Sequence, residues 1–582
     1  GNLGGAIQLI RAAWNALASG IPLPAFDFWA SSRMMPGQIS ITEFPYWSFL
    51  FADLHAHLIA IPFALLVVGL SLNLVLAADG PGLRWRRLAL PLAVLALTVG
   101  SLAAINTWDY PSYLLLAMAA VALASWAAHR RNGGAVLARA ALGVGLLVVL
   151  SYAAFLPFHL RNVTFSAGVH ASDQQTAIHH YLAIHGLFLF VILSYLAYEG
   201  RRHLGHLFWP SHDPETQHAG LLTRIRVALA HMRFIPVVLA SIIVFVAYLV
   251  VAGYVTVALL FLLALVVVSL GVLRLLDESN EAPYQLFLLA LLGGAFTLGI
   301  VVDLVTVNND IERMNTVFKL YLQAWVLYGL ASATILWHLA TAMRLSWRRI
   351  TWAKGVWIGL LLLLVVGVAI FPVLGTRARL ADRFSTDFTS LNGAQYMQTG
   401  IYQDGNGPIE LRWDWAAIQW LRDNVQGSPV VAEGNTAPHN YRWGSRVSIY
   451  TGLPTIIGWG WHQEQQRFGE RGVIHRRVTL LTTLFSTTDR ATAAQILREN
   501  NVKYVYVGEL ERLYYPEEGL SKFNKMQDYG VVLVYTNPEV DIFEVNLSTS
   551  SPGPLPIAGS APSAPGSPGH ELQRRLAPPS LP

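Results

Sequence analysis

Ten apolar runs, each of bilayer-spanning length, dominate this sequence and leave few folds open to it. They lie near residues 58–78, 88–105, 112–128, 136–156, 181–199, 234–251, 254–275, 284–305, 317–340 and 354–373. About 20 mostly apolar residues carry a helix across the hydrocarbon. Lipid offers no partner to a bare peptide group, so such runs fold as helices that satisfy their own backbone. Of the 582 residues, 54% are hydrophobic and 13% charged; a soluble chain carries about 25% charged. The expected fold is therefore mainly α: a polytopic transmembrane helical bundle of about ten spans, followed by a small extracytoplasmic α/β domain.

The basic residues orient the bundle. Arg84, Arg86 and Arg87 follow the first run, and His129, Arg130 and Arg131 follow the third. Arg201, Arg202, Arg224, Arg226 and Arg233 follow the fifth, and Arg344, Arg348 and Arg349 the ninth. All fall on one side. The positive-inside rule puts 79–87, 129–135, 200–233 and 341–353 in the cytoplasm and 376–546 outside, in a protein integral to the cell membrane. The net charge of +5 belongs to these loops and implies no nucleic-acid partner. With no Cys, the chain has neither disulfides nor thiolate metal sites. It starts at Gly1, in mid-loop and with no signal peptide in view, which predicts further N-terminal spans in the natural protein.

The opposite face collects the ionisable residues. Asp53, His55 and His57 stand immediately before the first apolar run. Ionisable groups are costly at that depth. Asp53 and His57 share a face if a helix starts early, and all three share a side if the segment is extended. Either geometry suits a divalent metal or a general base; interfacial hydrogen bonding is the plainer reading. The same face receives Asn106, Trp108 and Asp109, the loop 157–180, Asp303, and the segment 308–325. In that segment Glu312, Asn315, Lys319 and Gln323 repeat at helical spacing as a polar stripe. Snorkelling to the surface accounts for Lys319 but not for Gln323. No polar residue is expected to continue from this mouth to the cytoplasmic side.

Residues 1–57 form an outer interfacial segment, with Ala6, Ile7, Ile10, Ala13, Trp14 and Leu17 at the spacing of an amphipathic helix lying on the membrane. An aromatic loop carrying Asp27 and Arg33 follows. The transmembrane domain is 58–375 and the α/β domain 376–546. Within the latter, helices are expected at 415–425 and 491–500, strands at 430–432 and 502–507, and a closing hairpin at 531–535 and 540–545. The Pro/Ser/Gly-rich tail, 547–582, has too little apolar content for a core and is expected to be disordered.

Four strings carry a resemblance: ITEFPYWSFLFADLHAH (41–57), NTWDYPSY (106–113), DIERMNTVFKLYLQAW (310–325) and YVYVGELERLYY (504–515). Together they resemble the YYY membrane proteins, a family of large uncharacterised multi-pass proteins. That family is similar in layout to the C-type glycosyltransferases, which use lipid-phosphate-linked sugars at the outer membrane face. The resemblance implies that Asp53, His55 and His57, with Asp109 and the Glu312–Lys319 stripe, line a cavity. In the C-type enzymes an acidic residue lies just after the first span; that part would precede Gly1, and Asp53 is the nearest substitute here.

The implied function is transfer of a sugar from a polyprenyl-phosphate donor to an outer-face acceptor. A carboxylate takes the acceptor's proton. A divalent metal on Asp53, His55 and His57, or the cations Arg313 and Lys319, takes up the phosphate charge. The expected catalytic set is Asp53, His55, His57, Asp109 and Glu312. The expected substrate-binding set is Arg33, Asn106, Trp108, Asp310, Arg313, Asn315, Lys319, Trp459, His462 and Arg467. The last three are expected to face the membrane cavity as a lid or acceptor site. Membrane lipids are the expected surroundings, and no nucleotide cofactor is expected. The rival readings are a non-catalytic assembly or scaffold subunit, a metal-dependent membrane hydrolase and a transporter; a transporter usually shows repeated halves, and none is visible.

Overall fold

The computed structural model describes residues 1–78, 85–129, 132–162, 168–208, 235–276, 283–308, 310–342, 351–384 and 390–546. The tail expected to be disordered and most of the basic loops lie outside the described residues. The chain divides into two compact units, Gly1–Asp387 and Phe388–Pro582.

In the first unit every apolar run is a helix. Among the described residues eight helices are long and apolar enough to cross a membrane, and Ala89–Ile105 and Val237–Val251 are shorter apolar ones. Packing between them uses small side chains. Ala60 and Ala64 of the Ala56–Ala78 helix are buried, as are Ala117, Ala120 and Ala124 of Asp109–His129, the helix it packs against. Lipid tails are as apolar as any side chain, so close backbone approach replaces the hydrophobic effect as the source of cohesion. Pro283–Leu304 packs likewise against Met314–Ala342.

Three features depart from the expected pattern. The Ile178–Phe208 helix outruns the apolar stretch that predicted it. The Trp352–Ile370 helix continues through a π turn at Phe371–Gly375 into Thr376–Arg383, so the expected boundary at 375 falls inside a helical segment. Two three-residue strands, β1 (Val169–Ala171) and β2 (Val305–Val307), pair antiparallel where loops were expected.

Gly4–Ser19 is the expected amphipathic helix, with Ile10, Trp14 and Leu17 exposed. A short helix, Pro45–Phe51, starts on Pro45 and stops at Ala52, which turns left-handed (φ 61°). Trp47 is fully buried and stacks on Phe28 and Phe51; Phe44 meets Phe371 edge-on at 5.1 Å. The aromatic string is thus an anchor that fixes the chain from Thr42 to Phe51.

The second unit is α/β. A hairpin of β3 (Ile401–Asp404) and β4 (Gly407–Glu410) precedes the Leu411–Asn424 helix. The main sheet has four strands: β5 (Val430–Ala432), β6 (Val502–Val507), β7 (Val531–Thr536) and β8 (Asp541–Val545), in the order β5-β6-β8-β7. β5 and β6 are parallel; β8 is antiparallel to both its neighbours. Side chains alternate between faces, as a pleated strand requires. Tyr506 and Ile542 pack towards the Leu411–Asn424 helix, while Val505 and Phe543 pack towards the helices Arg471–Ser486 and Arg490–Glu499.

Candidate functional site

Four separate stretches of the first unit meet around His57. Its ring is buried at the start of the Ala56–Ala78 helix, with Nε2 3.3 Å from Glu43 Oε2 and Nδ1 3.0 Å from His55 Nδ1. Lys319 Nζ lies 3.4 Å from the same Nδ1. An ammonium has donors only, so Nδ1 carries the lone pair and Nε2–H points at Glu43. His57 is therefore held as a neutral imidazole whose basic nitrogen faces His55 and Lys319. Ser48 Oγ donates to the same Glu43 oxygen at 2.8 Å.

Asp109 completes the group from below. It heads the Asp109–His129 helix, is 6% exposed, and accepts from Asn106 Nδ2 at 3.0 Å. Gln323 donates to the Trp108 carbonyl at 3.0 Å, and its amide lies beside the Asp109 carboxylate. Asp109, Glu43 and Asp53 all act on the Lys319 ammonium through space. Lys319 is 5% exposed and does not snorkel; its Nζ lies 4.4 Å from the Phe318 ring. Arg33 is exposed, donates to Ser32, sits over Trp29, and lies in the field of Glu43.

The expected single face of Asp53, His55 and His57 does not form. Because the left-handed Ala52 ends one helix and the next begins at Ala56, the residues between them form a link, with the His55 amide bonded to the Asp53 carbonyl at 2.7 Å. Asp53 and His55 are exposed while His57 is buried. Among the described residues no three His, Asp or Glu side chains are grouped to hold a metal ion. The Lys319 ammonium sits where a cation on His57 Nδ1 would sit. The residues do not fit the expected divalent metal.

The 308–325 segment splits into two roles. Only Lys319 and Gln323 of the expected stripe reach the His57 group. Glu312 precedes the helix in a left-handed conformation (φ 50°), and its exposed carboxylate accepts from Gln174 and the Ile39 amide. Asp310 and Asn315 serve the helix start: both Asp310 oxygens are taken up by Asn315 and Thr316. Arg313 is 1% exposed and pairs with Asp303 at 2.8 Å, while donating to Gln38 and Thr176. Its expected role as a phosphate ligand gives way to holding the fold together.

Polar groups do not stop at this mouth. Glu199, fully buried, accepts from Arg274 at 2.7 Å and lies 3.2 Å from His338 Nε2, on three helices at the end that bears the basic loops. Sequence reasoning missed this cluster, because one charge per helix leaves no periodic trace. It also missed Glu43, although Glu43 stands just before the helix-starting Pro45 in the string that holds His57.

In the second unit Trp459, His462 and Arg467 line a cavity of about 610 Å³, and His462 Nδ1 bonds the Tyr441 hydroxyl at 2.9 Å. The YVYVGELERLYY string is internal wiring. Glu511 binds Arg446 through both carboxylate oxygens (3.1 and 2.8 Å), and Arg446 Nε donates to Asp414 at 2.7 Å. Tyr506 and Trp443 also donate to Asp414, and the amides of Gly434 and Gly508 to Glu511. The two acids hold the Arg446 guanidinium charged.

Residues 1–328, which include the whole His57 group, match the model of the DUF2298 family, described as uncharacterized membrane protein; the YYY-type expectation is borne out. No curated protein matches. Two solved structures from Archaeoglobus fulgidus are similar. One is an oligosaccharyltransferase in complex with Zn and sulfate, at TM-score 0.30 and 12% identity over 78% of this chain and 49% of that one. The other is the oligosaccharyltransferase AglB in complex with an inhibitory peptide and a dolichol-phosphate, at TM-score 0.31 and 13% identity over 85% of this chain and 57% of that one. The chain spans about half the length of these structures. Likenesses of this size carry no functional argument.

Proposed function

The chain belongs to the DUF2298 family of uncharacterized membrane proteins, and from that premise we propose that it is a membrane glycosyltransferase. It moves a sugar from a polyprenyl-phosphate donor to an acceptor on the extracytoplasmic face of the cell membrane. The observation that supports this most is the gathering of Glu43, His57, Asp109 and Lys319, three of them almost wholly buried, beneath exposed Asp53 and His55. Buried charges that are not matched one to one are expensive and are kept for work.

The acceptor's hydroxyl gives its proton to the exposed Asp53 carboxylate. The freed oxygen attacks the anomeric carbon, the carbon–oxygen bond to phosphate breaks, and the lipid phosphate leaves with the electron pair. Lys319 and Arg33 offset the charge on that phosphate. Glu43, through Nε2–H, keeps the His57 ring oriented, so the field at the mouth is fixed before substrate arrives. The test is transfer from a radiolabelled polyprenyl-phosphate sugar by the full-length natural protein. Lys319→Met leaves Asp109 and Glu43 without their cation and should lower stability; in the protein that still folds transfer should be lost, and unchanged transfer would remove the group from the chemistry.

The orientation is part of the proposal. A Cys placed at exposed Ser428 should react with an impermeant reagent in intact cells; the chain has no Cys of its own to interfere. Protection until lysis would put the second unit inside and overturn the assignment of faces.

The scaffold reading draws on a different observation. The Arg313–Asp303 and Glu199–Arg274–His338 groups show that this bundle also uses buried charge purely to join helices. Under that reading the unsubstituted protein transfers no sugar, and Lys319→Met lowers stability alone.

A further inference from the structure

The second unit carries a cavity lined by Trp459, His462 and Arg467, which the transfer steps proposed at the membrane mouth leave out, and its walls have a chemistry of their own. β5 lies between two parallel neighbours, β6 and a bridge from Val431 to Thr455. In sheets of this kind ligands bind beyond the carboxyl ends of parallel strands. The loop that leaves β5 there leads to Ser445 and Ser448, which line the cavity together with the 454–459 segment. That segment is fixed in place: Asn435 Nδ2 bonds the Gly458 carbonyl at 2.6 Å, and the Val431 amide bonds the Pro454 carbonyl at 2.8 Å. The volume, about 610 Å³, falls within the roughly 300–1,000 Å³ of small-molecule sites.

Two wall residues carry buried hydrogen-bonding atoms with no partner among the described residues, Trp459 Nε1 and Thr455 Oγ1. Two others, Arg467 and Arg477, are arginines with no carboxylate partner among the described residues. Arg467 donates to Gln463 and Arg477 to the Ile456 carbonyl. Elsewhere in this unit Arg412, Arg442, Arg446, Arg471, Arg490 and Arg512 are each paired with an acid, while Arg422, Arg476 and Arg498, outside the cavity wall, show no such pair among the described residues. Glu470 is the carboxylate among the wall residues. Guanidinium donors match carboxylate and phosphate oxygens in geometry as well as charge. An indole offers an apolar face with one donor at its rim, which suits a ring that is apolar on its face and polar at its edge.

We propose that this cavity binds an anionic saccharide, with the sugar ring against Trp459 and its carboxylate or phosphate held by Arg467 and Arg477. The site stands whether or not the membrane mouth transfers sugar, because it uses none of the same residues.

The test is saturation-transfer NMR and calorimetry on the full chain in lipid nanodiscs. The probes are glucuronic acid, glucose 1-phosphate, glucose and inorganic phosphate. At least one of the two anionic sugars should bind saturably, at least tenfold more tightly than glucose and than phosphate; which of them does so tells a carboxylate site from a phosphate site. The variant Arg467→Gln/Arg477→Gln, whose side chains are exposed, should fold normally and weaken that binding at least tenfold. Trp459→Phe should weaken the sugar and leave any residual phosphate binding unchanged. Failure of both anionic sugars to bind, equal binding of glucose, equal binding of plain phosphate, or indifference to the double substitution would each overturn the proposal.

Discussion

The His57 group and the Arg446 group are built from the same kinds of side chain, and they differ in closure. Around Arg446, two carboxylates receive the guanidinium, a Tyr hydroxyl, an indole N–H and two backbone amides, and all of these partners lie inside the second unit. Nothing is left for a substrate to meet. Around His57 the polar chain runs outward, from buried Asp109 and Lys319 through the imidazole to exposed His55 and Asp53. A closed group of charges fixes a fold, and an open one faces a reaction. The Arg313–Asp303 group, in the same unit as His57, is buried on both sides and tied to Thr176, yet less completely closed: Asp303 Oδ2 and Arg313 Nε have no partner among the described residues.

The largest expected effect separates the two groups by what each loses. Asp109→Asn keeps the shape of the side chain and removes a charge from the Lys319 environment. Through Lys319, whose charge offsets the leaving phosphate, it should cut sugar transfer by about 10²–10³-fold, with a smaller loss of stability than the substitution at Arg446. Arg446→Met should do the reverse. It leaves Asp414 and Glu511 buried without their cation, which typically costs about 3–5 kcal/mol, so denaturant unfolding should shift strongly while the membrane unit stays assembled. If Arg446→Met abolished transfer at full stability, the division between the groups would fail.

A smaller effect is read from pH. Burial pushes the Glu433 carboxyl up from its ordinary 4.5 to about 7, against the amides of Val447 and Ser448 that favour its ionised form. Between those values the folded state holds a proton that the unfolded state has lost. Its contribution to stability is therefore greatest at the acid end and is lost as pH rises through about 7. At about 1.4 kcal/mol per pKa unit, this amounts to a few kcal/mol at most. Glu433→Gln should flatten that slope in unfolding experiments between pH 5 and 7; an unchanged slope would assign it to another group.

The smallest expected effect sharpens the edge of the site. Glu312 was an attractive member of it by sequence, but its carboxylate is exposed and turned to Gln174 and Ile39. Glu312→Gln should change stability by less than about 0.5 kcal/mol and leave transfer unaffected. A large loss of transfer would bring Glu312 back among the catalytic residues.

Much of the fold was legible because it repeats. Apolar runs marked the membrane helices, and short runs rich in Val, Ile, Tyr and Phe, with a turn at Asn537-Pro538, marked β6 and the β7–β8 hairpin almost to the residue. The site was half legible. His57, Asp109 and Lys319 stood out as ionisable residues at the ends of apolar runs, where their energetic cost is visible in sequence. Glu43 did not, since it sits among aromatic residues in a segment that spans nothing, and only Trp47 and Phe44 packing into the bundle brings it to His57. Arg313 misled for the opposite reason: a charge that looks free along the chain finds Asp303 in space. The extended and helical readings of 53–57 both failed on one residue, the left-handed Ala52, which nothing local demanded.

The central claim is that the open group performs chemistry, and Asp53 tests it most directly. It is the exposed carboxylate of the mouth, so Asp53→Asn should leave folding and membrane insertion intact. The measurement is single-turnover transfer of a labelled sugar from polyprenyl phosphate by the full-length natural protein, with and without the substitution. The account predicts transfer by the unsubstituted protein and a loss of about 10²–10⁴-fold in Asp53→Asn, with His57→Ala reduced less. Equal rates from the two well-folded proteins would contradict it.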